Sequence, residues 1–310
     1  MRGPIFVTGG SGFVGSSVLD ALQAADFSVN ALVRHEPLDR PSDRVISFTG
    51  GLFDDAALDA GMKGCTAVIH LVGIIAERPA EGITFDRIHY QGTQHVVDAT
   101  KRAGIRRYIQ MSAIGARPDA PATYHRTKFL AEQYVRDSGL DWTIIRPSII
   151  HGPRGDFMKT EAGWARGTSV PYLFMPYFGR GLLGLGGAGK LQPVFVEDVA
   201  RAFVECLDDP QKARELFCIG GPDQMTWPGM HRMIAQVLVG HRRPVLAIPD
   251  WYAKSLAAIV PPGLLPFSRD QVLMSEEDNI CDLSTFVSAF GWTPRSFEQM
   301  LCGYAAELKA

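Results

Sequence analysis

The stretch Ile5-Phe6-Val7-Thr8-Gly9-Gly10-Ser11-Gly12-Phe13-Val14-Gly15-Ser16 decides the fold. A short apolar run opens into glycines at Gly9, Gly12 and Gly15, and apolar residues then recur at helical spacing through Val18, Leu19 and Leu22. The pattern predicts strand, tight turn and helix. Glycine permits the turn, brings backbone amides up to a pyrophosphate with no side chain between, and lets helix and strand pack closely. The helix N-terminus adds N–H groups and the positive end of its dipole. Glycine-dense turns also arise for purely local reasons, so context decides, and this loop follows a strand and opens a helix, as a dinucleotide site requires. Gly9, Gly10, Ser11, Gly12, Phe13 and Val14 are the candidate phosphate-binding residues.

Outward from the loop, strand-like and helix-like runs alternate. Ser28 to Val33 reads as a second strand, Val45 to Phe48 as a third, Asp54 to Met62 as a short helix and Thr66 to Gly73 as a buried fourth strand. Phe85 to Ala103 has helical period, and strands follow at Arg107–Met111 and Trp142–Pro147. Such alternation predicts an α/β doubly wound parallel sheet, the Rossmann arrangement, over residues 1–153. Beyond Pro153 the alternation decays, and residues 154–310 are expected to form a smaller α/β substrate-binding region, with part of 190–220 returning to the first domain. Gln192 to Ala200 reads as a strand leading into a helix that Asp198 caps or orients.

Arg34 stands just past the second strand, where an acidic residue would hold the ribose 2′-hydroxyl of NAD(H) and an arginine pairs with the 2′-phosphate of NADP(H). Its position therefore favours NADP(H), with NAD(H) the alternative; the competing reading is a solvated surface arginine. Ser112 follows the fifth strand, and Tyr124 and Lys128 are spaced to share a helix face one turn apart. A phenol titrating near 10 is a weak acid-base group at neutral pH, and a neighbouring ammonium favours its phenolate form. With Ser112 bonded to a substrate carbonyl, the trio is suited to moving a proton while hydride moves on a cofactor. The competing reading of Tyr124 and Lys128 is a surface pair. His70 is either a satisfied core histidine or a functional one.

Composition narrows the partners. The 310 residues are 46% hydrophobic and 21% charged with net charge -2, which fits a globular chain and gives no basic patch for nucleic acid. Cys65, Cys206, Cys218, Cys281 and Cys302 lack the spacing of a zinc or redox site, so no metal is expected and the cysteines are expected in the core. The chain enters its first strand almost at once, which predicts no leader and a cytoplasmic setting. Two apolar runs, 167–179 and 246–267, are too short or too broken to span a bilayer; interior or pocket-covering positions are favoured over a membrane surface. Lys190 is followed by Leu191, so the glycines before it do not make a P-loop.

The spacing of Gly9, Gly12 and Gly15, with Tyr124 and Lys128, the Arg146-Pro147 turn and the segment Gln192 to Ala200, resembles the atypical short-chain dehydrogenases/reductases of the extended-like NAD(P)-binding epimerase/dehydratase superfamily. The likeness is nearest to the group containing the nucleotide-binding accessory subunit of respiratory complex I. It implies that Leu71, Val72 and Gly73 pack on the cofactor, that the backbone at Pro147 meets the nicotinamide carboxamide, and that Asp54 or Asp55 either meets the adenine or caps a helix. His89 stands where the family has an active-site asparagine. The resemblance implies an NADP(H)-dependent oxidoreductase acting on a small, apolar, isoprenoid- or quinone-like substrate. It leaves open a non-catalytic dinucleotide-binding protein with peripheral membrane or respiratory-complex association, and a nucleotide-sugar epimerase or dehydratase. Oligomeric state is not legible.

Overall fold

The computed structural model of the chain describes residues 3–35, 38, 44–260 and 265–308. The chain divides into two compact units, the first comprising Met1–Pro147, Val196–Cys218 and Ser284–Trp292, the second Ser148–Phe195, Ile219–Leu283 and Thr293–Ala310.

The first unit is built on β1 (Ile5–Thr8), β2 (Val29–Val33), β3 (Val45–Thr49), β4 (Ala67–His70), β5 (Arg107–Met111) and β6 (Asp141–Pro147), joined at the β6 edge by the strand Glu215–Ile219. The strand order is Glu215–Ile219, β6, β5, β4, β1, β2, β3, and the five pairings among β1 to β6 are parallel. Parallel neighbours require crossovers, supplied by α1 (Phe13–Ala24), α2 (Asp55–Met62), α3 (Gly92–Arg102) and α4 (Thr123–Asp137). Order reverses between β1 and β4, so the carboxyl ends of the strands open a crevice there.

Register explains the core. Phe6, Val68, Tyr108 and Trp142 are aligned across β1, β4, β5 and β6 and therefore share one sheet face. They pack with Leu58 and Met62 of α2, Val96 and Val97 of α3 and Val135 of α4. Burying each large apolar side chain contributes about 2 kcal/mol. The intervening residues Val7, Ile69 and Ile109 are buried on the other face, the side of α1 and the helix Val196–Asp208, which pack together. Arg107 ties that helix to the sheet, donating through Nε to the Cys206 carbonyl at 3.1 Å and through Nη1 to the Asp141 carbonyl at 2.6 Å.

In the second unit the helix Asp156–Arg166 packs on the helix Trp227–Val239, and Met175–Gly179 pairs in parallel with Val245–Pro249. The interior position expected for the two apolar runs is overturned at several residues. Met175 and Ala253 are buried, but Val170, Tyr172, Leu173, Leu246, Trp251, Tyr252 and Ile259 are exposed. The cysteines also divide: Cys206 is buried and Cys302 exposed, with the other three between. Among the described residues no helix is long and apolar enough to cross a membrane, and no cluster of histidine, cysteine or carboxylate side chains is arranged for a metal.

Candidate functional site

The glycine loop leaves β1 at Gly9, whose φ of +79° is one that side chains resist. Gly15 is required by contact: a Cβ there would lie 1.9 Å from the Gly9 carbonyl oxygen and 2.8 Å from the Gly10 Cα. This close approach sets Gly12 as the N-cap of α1, with no side-chain cap and no acidic residue in the first turn. Ser11 and Gly12 are exposed, and Phe13 and Val14 half-buried. The uncapped turn offers backbone N–H groups to an anion. Val72 packs over the loop, its backbone nitrogen 3.2 Å from where a Gly9 Cβ would stand, and Leu71 N donates to the Thr8 carbonyl.

The other residues named from sequence fall along the same sheet edge or on the helix behind it, all within the first unit. Arg34 is exposed one residue past β2. Asp54 is the N-cap of α2, its Oδ1 accepting from Ala57 N at 3.0 Å, so of its two readings the cap is realised. Gly73 is exposed directly over Lys128: a Cβ would come within 2.9 Å of the lysine Nζ. Ser112 follows β5, bound through its N–H to the Ile145 carbonyl, and its buried hydroxyl has no hydrogen-bond partner among the described residues. Ile114 N donates to the carbonyl of buried Pro147.

Lys128 is 2% exposed, and Nζ lies 3.4 Å from the Met111 carbonyl oxygen. Burial pulls its pKa down to about 8, against the opposing pull of Glu132 one turn on. Glu132 is fully buried and holds Arg146 in a bidentate pair at 2.6 and 2.7 Å. Tyr124 is flanked edge-on by the rings of Phe85, His89 and His125. The expected lowering of Tyr124 by Lys128 is overturned: desolvation pushes the phenol up to about 12. Removing water from around a nascent phenolate costs more than the lysine, itself desolvated, returns.

Sequence reasoning gave His89 no role, yet it is central to the site's scaffold. The expected helix begins as a π-helical turn, Asp86–Gln91, before α3, and such widened turns recur at functional sites. His89 lies in that turn, 1% exposed, with Nε2 3.1 Å from Ile74 N and Nδ1 3.0 Å from Thr127 Oγ1. Thr127 bonds in turn to the Thr123 and Tyr124 carbonyls. Burial, then Lys128, holds the His89 pKa well below the usual range. A neutral ring that accepts from Ile74 N–H and donates to Thr127 accounts for these contacts and ties the 73–74 backbone to the start of α4. His70 resolves as a core residue bonded through Nδ1 to Thr8 Oγ1 at 2.6 Å; burial takes its pKa to about 3.

A protein-family model described as NAD(P)H-binding matches residues 9–170. Ceramide reductase of Caulobacter vibrioides is 29% identical over 252 residues, covering 80% of this chain and 74% of the relative. The mitochondrial NADH dehydrogenase [ubiquinone] 1 alpha subcomplex subunit 9 of Arabidopsis thaliana is 28% identical over 297 residues, covering 91% of this chain and 70% of the relative. Among solved structures, a UDP-glucose 4-epimerase of Thermus thermophilus in complex with NAD superposes with a TM-score of 0.72 at 20% identity, covering 100% of this chain and 99% of that one. That likeness shows the shared fold.

Proposed function

This chain belongs to the NAD(P)H-binding family, and from that premise we propose that it is an NADP(H)-dependent oxidoreductase acting on a carbonyl or hydroxyl of a small apolar substrate. The observation that carries the reading is the Ser112 hydroxyl, buried at the carboxyl end of β5 and without a partner among the described residues. An unpaired hydroxyl is costly to bury, and a substrate oxygen would satisfy it. The residues present also fit a dinucleotide: the uncapped start of α1, the glycines that admit no Cβ, and the backbone around Gly73.

A reduced nicotinamide, held by the glycine loop and the backbone around Gly73, would supply hydride to a carbonyl carbon. The chain's own residues handle the oxygen. Ser112 donates a hydrogen bond to it, and Tyr124, its pKa pushed up to about 12, remains a neutral phenol and donates the proton that completes the alcohol. Lys128, titrating near 8, stays largely cationic at neutral pH, holds the nicotinamide ribose and stabilises the tyrosinate until solvent reprotonates it. Arg34 would pair with the 2′-phosphate. The first unit binds dinucleotide, and the second selects the substrate. A relative named for ceramide supports reduction of an apolar compound, and an isoprenoid- or quinone-like substrate is of that class.

A second reading is favoured by the complex I subunit relative, which covers 91% of this chain: a dinucleotide-binding assembly protein without turnover. The test is NADPH oxidation against a panel of apolar carbonyl and quinone substrates, with calorimetric titration of NADPH and NADH. Tyr124→Phe is expected to lower kcat by roughly a hundredfold or more and leave NADPH affinity nearly unchanged. Arg34→Ala is expected to weaken NADPH much more than NADH. Equal rates for wild type and Tyr124→Phe would remove the tyrosine role; tight binding without turnover on any substrate would establish the assembly reading.

A further inference from the structure

In the second unit, residues 180–187 form a glycine-rich loop folded on itself: Arg180 N donates to the Gly187 carbonyl and Gly186 N to the Arg180 carbonyl, both at 2.8 Å. The loop rests on the strand Val245–Pro249, where a Cβ on Gly184 would come within 2.9 Å of Ala247 Cβ. Its backbone faces the protein and its leucines face out. Leu182, Leu183 and Leu185 are 78%, 70% and 79% exposed, more than tolerable accident explains for three leucines on one turn. Trp251 adjoins them, its Nε1 donating to the Leu182 carbonyl at 3.1 Å, and opens the helix Asp250–Ile259. Tyr252 and Ile259, seven residues apart and both exposed, share a stripe of that helix.

Charge selects the occupant. No aspartate or glutamate occurs between Glu161 and Glu197, and the two ends of the loop carry exposed Arg180 and Lys190. Arg180 is exposed, one nitrogen anchored on the Glu276 carbonyl. The neighbouring carboxylates Asp250 and Glu276 are both bonded to Lys254, at 3.0 and 2.7 Å. Leucines at a tip, an indole and a phenol beside them, and exposed Arg180 and Lys190 at the two ends of the loop make the profile of a surface that enters the interface of an anionic bilayer. Asp278 at the loop base accepts through Oδ1 from the Lys190 N–H at 2.8 Å.

We infer that the 180–187 loop and the exposed face of the helix Asp250–Ile259 dock this protein on anionic phospholipid membranes, the leucines inserting and Arg180 and Lys190 meeting headgroup phosphates. The inference is independent of whether the nucleotide site turns over. Flotation of the purified chain with vesicles tests it, using phosphatidylcholine alone and phosphatidylcholine with about one third phosphatidylglycerol, at low and high salt. Binding is expected on the anionic vesicles, weakened by salt and by phosphatidylcholine alone. The triple variant Leu182→Ser, Leu183→Ser, Leu185→Ser should lower it by roughly tenfold or more with Tm and NADPH affinity unchanged. Arg180→Gln with Lys190→Gln should lower binding to anionic vesicles alone, which keeps the proposal testable if the leucine variant folds poorly. No flotation on anionic vesicles, flotation equal in the leucine variant, or a dimer in sedimentation that the leucine variant disperses would overturn it.

Discussion

Two glycine-dense loops, 9–15 and 179–189, use the same residue to opposite ends. In both, glycine compacts the backbone: Gly15 leaves no room for a Cβ beside the Gly9 carbonyl, and Gly179 leaves none beside the Gly184 carbonyl, each at 1.9 Å. Both contain positive φ, at Gly9 in the first and at Gly181, Gly184 and Gly187 in the second. The first loop feeds a helix whose uncapped amides point outward, while the second closes on itself and turns leucines outward. Glycine content thus specifies tightness; the element that follows the loop decides which chemistry is presented.

The comparison breaks most severely at Gly15. Gly15→Ala places a methyl against rigid backbone rather than against a side chain that can move. The helix must then back away from the loop, which costs about 3 kcal/mol or more. Urea denaturation should show that loss, and calorimetry on the folded fraction should show dinucleotide binding abolished. An alanine variant with wild-type stability and affinity would remove the close packing of loop and helix as the basis of the site.

The sheet was legible because its strands are short apolar runs separated by turn residues, and register then follows from burial: Phe6, Val68, Tyr108 and Trp142 could share only one face. The glycine loop was legible because its spacing carries a steric demand. The π-helical turn at Asp86–Gln91 was hidden, since six residues of wider winding barely disturb a helical period read over nineteen. The Tyr124 environment was hidden for another reason. Its neighbours Phe85, His89 and His125 are brought to it by tertiary packing, so a pairwise argument from Lys128 missed the desolvation that dominates. The leucines of the second loop show the limit of hydropathy: an apolar run reports what would be favourable to bury, and the fold decides whether it is buried.

A smaller effect is expected at Lys128, where the first loop's neighbourhood keeps a charge that the second unit's loop never has to bury. Its folded pKa is about 8 against an ordinary 10.5. Below pH 8 both states are protonated and folding bears the full cost of the buried ammonium, about 3 kcal/mol. Between pH 8 and 10.5 the unfolded chain holds the extra proton, so the cost fades and the wild type gains stability as pH rises. Lys128→Met should therefore be more stable than wild type at pH 7, with the difference shrinking by pH 10, and should lose activity at both. Urea midpoints of the two proteins across that range measure it; a gap independent of pH would contradict a depressed lysine.

The smallest effect is expected at Gly187, and it separates the two demands that glycine meets. Its φ is +82°, yet among the described residues nothing lies within 4 Å of where a Cβ would stand. Gly187→Ala therefore meets only the intrinsic strain of a left-handed alanine, about 1 kcal/mol, without any clash to force the loop apart. Thermal denaturation should register a small drop, with the leucines still presented and vesicle flotation nearly unchanged. A loss as large as that of Gly15→Ala would mean that the second loop is held by close backbone approach at this position too, and that the two loops differ less in construction than in what they display.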